Sequence, residues 1–263
     1  MGDTKLKLIL SGACGRMGLM LAKDFLTSGR VELVAAMDIT NIGADIGFLA
    51  GLPEAGIKVS PTLDSILGNV AADVFLDFST VEAALHYIPA ALLAGLDCLI
   101  GVTGFTDGDM EKLKVYCEES GKVLWIVPNF SIGVNLMFAF AKRAAKMYPD
   151  CEIIELHHDG KRDAPSGTAF KTARDLKDIV AGKKKSQGAM EPSRGLNVEG
   201  VNIHSVRLPG LLAHQEVLFG GRGEVLTIRH DAMSRECFLP GIYLALDNIM
   251  SKHGFVFGIE DII

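Results

Sequence analysis

The segment Glu155-Leu-His157-His158-Asp-Gly-Lys161-Arg-Asp-Ala-Pro-Ser166-Gly167-Thr168 brings reactive side chains together within a short stretch. A strand-like stretch from Cys151 to Leu156 ends in two histidines and a lysine, and Pro165-Ser166-Gly167-Thr168 then opens a new helix. Imidazole is the side chain that titrates near neutral pH, so one of His157 and His158 is a candidate general acid. Lys161 adds a fixed cation, and the Gly167 and Thr168 amides at a helix N-terminus suit an anion. Ser166 reads as the N-cap and could line the same site. Together these groups suit a small dicarboxylate that is gripped and protonated. A metal is not expected. Adjacent residues on a strand point to opposite sides, and neither an H-x-x-x-H spacing nor a nearby cysteine completes a ligand set. Five of the seven histidines fall between residues 157 and 230, which also places a site in the second half.

A second chemical signal lies near the N-terminus. Gly12-Ala-Cys-Gly15-Arg16-Met17-Gly18 follows one expected strand and opens a helix. Glycines there allow a tight turn and a close approach to a pyrophosphate, and the helix N-terminus supplies amide donors. The spacing is G-x-x-G-x-x-G, so the context carries the reading rather than the pattern itself. That context includes Asp38, at the end of the second strand, placed to accept hydrogen bonds from adenosine ribose hydroxyls.

The elements that must position these groups follow from hydrophobic periodicity. Strands are expected over 5–11, 31–38, 72–78, 98–102 and 122–127. They alternate with helices over 16–28, from Thr80 and from Asp107, with a glycine-rich loop up to about residue 60. Ser79-x-x-Glu82 and Thr106-x-x-Asp109 have the capping-box pattern at the two later helix starts. This alternation predicts an α/β fold with a Rossmann-like, doubly wound parallel sheet over 1–130. From 131 to 238 the pattern changes to a smaller α+β domain. It comprises a helix over 133–147, a strand over 151–157, a helix over 166–180, a polar linker over 182–200 and strands over 201–207, 215–219 and 225–230. The last segment, 239–263, carries a closing helix over 240–252 expected to return to the first domain.

Composition narrows the class further. With 263 residues the chain can bury a substantial core. The uncharged stretch over 123–141 reaches membrane-spanning length, but Pro128-Asn-Phe-Ser-Ile-Gly133 interrupts it, so a buried strand, a turn and a buried helix are expected. A net charge of -6, with no helix-turn-helix or zinc-finger spacing, argues against a nucleic-acid surface. Lys183-Lys184-Lys185 reads as a solvated loop. Five scattered cysteines and an N-terminal apolar stretch too short for a secretory signal point to a cytoplasmic protein with reduced thiols.

On these motifs the chain resembles the 4-hydroxy-tetrahydrodipicolinate reductase (dihydrodipicolinate reductase) family of lysine and diaminopimelate biosynthesis. Asp77-Phe78-Ser79, Gly101-Val-Thr103-Gly104, Pro128-Asn129-Phe130-Ser131 and His204-Ser205-x-Arg207 extend the resemblance over almost the full length. It implies that His157 is the acid, Lys161 its partner, and that His158, Gly167 and Thr168 hold the substrate. It further implies that Gly101, Thr103, Pro128, Asn129 and Phe130 join Gly12, Gly15, Arg16, Met17 and Asp38 in binding NADH or NADPH. A homotetramer built through the second domain's sheet is also implied. Two positions depart from the family pattern. Val102 replaces a common threonine, and Ile39 follows Asp38 where many relatives carry a basic residue, which favours NADH with NADPH still possible. Two other readings stay open. One is a different two-domain amino-acid dehydrogenase, of aspartate or homoserine type, and the other is a catalytically idle NADH-binding protein.

Overall fold

The computed structural model describes residues 5–180 and 191–263. The chain forms two compact units, one made of the residues up to Phe130 together with Phe238–Ile263, the other Ser131–Cys237. In chain order the first unit contains β1 (Lys7–Ser11), α1 (Arg16–Ser28), β2 (Glu32–Met37), α2 (Ile46–Leu49), β3 (Val59–Ser60), β4 (Val74–Asp77), α3 (Val81–Leu93), β5 (Asp97–Ile100), α4 (Asp107–Ser120) and β6 (Leu124–Ile126). The second unit follows as α5 (Ile132–Ala145), β7 (Asp150–His157), α6 (Gly167–Val180), β8 (Leu196–Val198), β9 (Val201–Arg207), β10 (Ala213–Gly221) and β11 (Glu224–Ala232). The chain then rejoins the first unit as α7 (Leu239–Ile249) and β12 (Phe255–Phe257).

The first unit's seven strands run in the order β12-β6-β5-β4-β1-β2-β3, and every pairing is parallel. Alternate residues of the central strands feed two apolar layers. Leu8, Leu10, Phe25, Trp125 and Leu246 belong to one, and Ile9, Phe75, Ile88 and Ile100 to the other. Burial on both faces explains why these strands read as continuous apolar runs. α1 turns Leu21, Ala22 and Phe25 inward and stops at Gly29, whose φ of 64° is the left-handed conformation that glycine adopts without penalty. The strand order reverses between β1 and β4, so the crevice beyond their C-terminal ends is a topological switch point.

The second unit has one mixed sheet, β11-β10-β7-β9-β8. β7 and β9 pair in parallel, whereas β7–β10, β10–β11 and β8–β9 are antiparallel. The intervening α6 supplies the crossover that a parallel pair requires. Ile153, Val217 and Phe219 on one face of this sheet pack with Phe138, Ala141, Ala173 and Leu176 from α5 and α6. β10 and β11 are longer than expected and meet in a two-residue turn, Arg222-Gly223.

Other expectations are refined by the structure. The uncharged stretch over 123–141 becomes the buried strand β6, a turn and the first part of α5, and no described helix is long and apolar enough to cross a membrane. The Thr106–Asp109 capping box forms in full. The Ser79–Glu82 box does not: Thr80 caps α3 by accepting the Ala83 amide, because the Ser79 amide is already committed to the Asp77 carboxylate at 2.9 Å. The glycine-rich loop holds a short helix, α2, whose N-cap Asp45 accepts the Gly47 and Phe48 amides. β12 was not legible as a strand, being three residues long at the sheet's edge. Lys183-Lys184-Lys185 and the linker up to residue 190 lie outside the described residues, while the linker's last part forms β8.

Candidate functional site

In the first unit a cleft of about 340 Å³ opens at the switch point, lined by Gly12, Gly15, Asp38, Ile39, Ser79 and Tyr87 among others. Its size lies within the range of small-molecule sites. Gly12 has φ +72°, and a Cβ there would stand 2.7 Å from the Phe78 carbonyl, so no larger residue fits this approach of β1's loop to β4. A Cβ on Gly18 would lie 2.1 Å from the Gly12 carbonyl oxygen, which makes Gly18 the contact between helix and loop. α1 has no side-chain cap and no acid in its first turn, so its leading amides point outward without an intrahelical partner. Arg16 is exposed and Met17 half-buried at the same helix start.

Asp38 sits just beyond β2. One carboxylate oxygen accepts the Cys14 amide at 2.9 Å, and the other accepts both the amide and the hydroxyl of Thr40 at 2.9 Å each. The aspartate therefore fastens the glycine loop as well as facing the cleft. Ile39 beside it is 83% exposed and offers no cation. At the tips of β5 and β6, Gly101 lies against the Phe78 ring, where a Cβ would come within 2.3 Å, and Phe78 in turn packs on Phe130 with ring centres 5.6 Å apart. Thr103 is exposed, whereas Pro128 and Asn129 are half-buried.

In the second unit β7 ends on His157, and the turn that follows is closed by the Lys161 amide donating to the His158 carbonyl. Glu155, two residues before His157 on the same strand face, is 0% exposed. Its carboxylate is held by Arg207 through two bonds of 2.8 and 2.9 Å and by the Nδ1 of His157. Burial alone would raise this carboxyl, but the bonds from His157 and Arg207 outweigh it and bring it down to about 2. Arg207 is anchored in turn by the Val206 and Asp163 carbonyls, each at 2.7 Å. Beside Glu155 in the sheet, Gln215 donates to Thr172 of α6 at 2.7 Å.

Ser166 caps α6 by accepting the Ala169 amide at 3.2 Å, which leaves Gly167 exposed and Thr168 half-buried in the leading turn. Lys161 is not a free cation: its ammonium spans both Asp163 carboxylate oxygens at 2.7 and 2.8 Å. The cluster of histidines divides. His204 binds Glu152 at 2.8 Å and His214 binds Asp231 at 2.6 Å, both on the sheet face opposite His157. His230 meets Ser131 at 3.3 Å. The residues that sequence reasoning left without a role are Glu155, Arg207, Gln215 and Thr172. The signal for Glu155 was available, since an acid alternating with Cys151 and Ile153 on a core-facing side must have a partner.

A Rossmann-like sheet with a glycine loop at its switch point, joined to a second mixed-sheet unit carrying a buried carboxylate–histidine pair, defines a two-unit α/β oxidoreductase class. The two halves match the profiles described as dihydrodipicolinate reductase, N-terminus, over residues 6–130 and dihydrodipicolinate reductase, C-terminus, over residues 133–263. The chain belongs to the dihydrodipicolinate reductase family, whose members are pyridine-nucleotide-dependent reductases. It is 44% identical over 264 residues to the 4-hydroxy-tetrahydrodipicolinate reductase of Halalkalibacterium halodurans, with 98% of this chain and 99% of that one covered. It is 41% identical over 261 residues to the reductase of the same name from Moorella thermoacetica, covering 98% of each. The dipicolinate-bound dihydrodipicolinate reductase of Paenisporosarcina sp. TG-14 superposes with a TM-score of 0.85 at 36% identity, over 99% of this chain and 100% of that one. Membership at this level sets aside the amino-acid dehydrogenase reading.

Proposed function

We propose that the chain reduces 4-hydroxy-tetrahydrodipicolinate, by way of dihydrodipicolinate, to tetrahydrodipicolinate in the diaminopimelate and lysine pathway. The reading is carried by family membership across both halves of the chain. The first unit's residues fit a dinucleotide: Gly12 leaves a cradle that a Cβ would fill, and α1 presents uncapped amides. Gly12, Gly15, Arg16 and Met17 would hold the pyrophosphate, Asp38 the adenosine ribose, and Gly101, Thr103, Pro128, Asn129 and Phe130 the nicotinamide end. When bound, the reduced nicotinamide supplies a hydride to C4 of the unsaturated cyclic imine left by loss of water.

His157 delivers the balancing proton to the ring carbon next to C4. Lys161, His158, Ser166 and the Gly167 and Thr168 amides grip the substrate carboxylates. Binding then exchanges the Lys161–Asp163 pair for a substrate carboxylate. The exchange costs little, because an exposed ion pair contributes about 0–1 kcal/mol. The outer face of the second unit's sheet carries half-buried Ile154, Leu156 and Leu218 opposite the helix-covered side, which supports assembly of a homotetramer through this face.

The enzyme is expected to oxidise NADH when supplied with freshly made synthase product from pyruvate and aspartate semialdehyde, and pyridine-2,6-dicarboxylate is expected to compete. Monocarboxylate analogues should bind about tenfold or more weakly, because one charge-assisted anchor is missing. Lys161→Ala should erase most of that difference. No NADH oxidation in this assay would leave an idle nucleotide-binding protein as the better reading, and equal inhibition by mono- and dicarboxylates would refute the anion site.

Coenzyme preference follows from Asp38 and Ile39. A 2′-phosphate about 4 Å from the Asp38 carboxylate would meet repulsion on the order of a few kcal/mol before solvent and salt screening. The exposed Ile39 supplies no compensating cation, although Arg16 could reach toward the phosphate. NADH is therefore expected to give the higher kcat/KM, with NADPH still accepted. Ile39→Arg should raise kcat/KM for NADPH while leaving that for NADH within a few-fold. A wild-type kcat/KM for NADPH equal to or above that for NADH would contradict this assignment.

A further inference from the structure

Cys151 and Ile153 make the core-facing side of β7 apolar, and then Glu155 continues the same face with no solvent contact. An ionised carboxylate in such a place persists only when it is paired and hydrogen-bonded. Here the pairing is over-determined. Backbone carbonyls of Val206 and Asp163 hold Arg207, Arg207 grips both oxygens of Glu155, and Glu155 also meets the Ser205 side chain and Nδ1 of His157. The register supports the arrangement, since Arg207 lies directly opposite His157 in the parallel β7–β9 pair and Ser205 opposite Glu155. A carboxylate that accepts two guanidinium bonds has no proton of its own to give, so the His157 nitrogen facing it must be the donor. Nε2 is then the nitrogen left to exchange a proton outside this cluster.

The geometry points to Glu155 and Arg207 as positioning residues that fix His157 with its proton on Nδ1 and stabilise the doubly protonated ring from which Nε2 gives up its proton. This rests on the reading of His157 as the proton donor. The logic is that of a buried acid orienting a catalytic imidazole: the acid selects the tautomer and steadies the cation without itself taking up a proton. Arg207 plays the third part, keeping the acid ionised and aimed.

Two measurements on the full-length protein test this. Long-range ¹⁵N–¹H NMR of histidine-labelled wild type, with the His157 signals identified from His157→Gln, should show the neutral ring protonated on Nδ1. In Glu155→Gln the Arg207 donors take the amide oxygen and turn the amide N–H groups toward the ring, so the neutral ring should move its proton to Nε2. Turnover should fall about ten- to a hundredfold, while KM for NADH stays unchanged. A role confined to stability would move neither the tautomer nor kcat in protein that remains folded. An Nε2–H tautomer in wild type overturns the inference, as does a folded Glu155→Gln enzyme with wild-type kcat. Should that variant not fold, the wild-type tautomer alone decides. Undiminished turnover in His157→Gln removes the donor itself. Loss there combined with normal turnover in Glu155→Gln removes only the positioning.

Discussion

Replacing His157 with Gln is expected to lower turnover by about a hundred- to ten-thousandfold, the range typical for removal of a general acid, with coenzyme affinity essentially retained. The substitution keeps a polar side chain of similar reach at the end of β7, so the sheet pairing of His157 with Ala213 and Arg207 persists. What disappears is a group able to carry a proton at neutral pH. The coenzyme loop belongs to the other unit, which is why binding of NADH, read by fluorescence titration, should be spared. Steady-state rates with the reducible ring as substrate give the first number. Near-normal turnover in this variant would take His157 out of the mechanism.

Gly18→Ala is expected to be damaging through packing alone. The added Cβ would stand 2.1 Å from the Gly12 carbonyl oxygen and 2.6 Å from the Ala13 backbone, atoms that cannot rotate away as a side chain would. Overpacking of this kind costs about 1–3 kcal/mol and occasionally more. The strain falls on the loop that Asp38 fastens through the Cys14 amide, so the same change should weaken NADH binding at least tenfold as it lowers Tm. Thermal denaturation with and without NADH separates the two effects, because bound coenzyme stabilises only a competent site. A variant with wild-type Tm and wild-type affinity would show that α1 can retreat from the loop without cost.

Much of the first unit was legible because its signals are local. Apolar strands, amphipathic α1, the Gly29 stop and the Thr106 cap each depend on residues within one element, and hydrophobic periodicity reports them directly. β3, β8 and β12 were not legible, since strands of two or three residues gain their identity from the neighbour they pair with. The Ser79 cap failed for a related reason: its amide was claimed by Asp77, a competition that depends on geometry beyond the motif.

The sequence by itself determined the fold class and which reactive groups, His157, Lys161 and the α6 N-terminus, share one short segment, because local periodicity and spacing report both. Tertiary structure decided the electrostatic state of that cluster. Glu155 and Arg207 are 52 positions apart, and only the parallel pairing of β7 with β9 sets guanidinium against carboxylate. The same pairing sends His204 to the opposite face, where it binds Glu152, although by sequence it belonged to the same group of histidines as His157. Lys161 likewise carries the expected charge, but its local turn gives that charge to Asp163. Residue type and spacing state which groups are available. The register of the sheet determines which of them meet, since a shift of one residue turns every side chain to the other face.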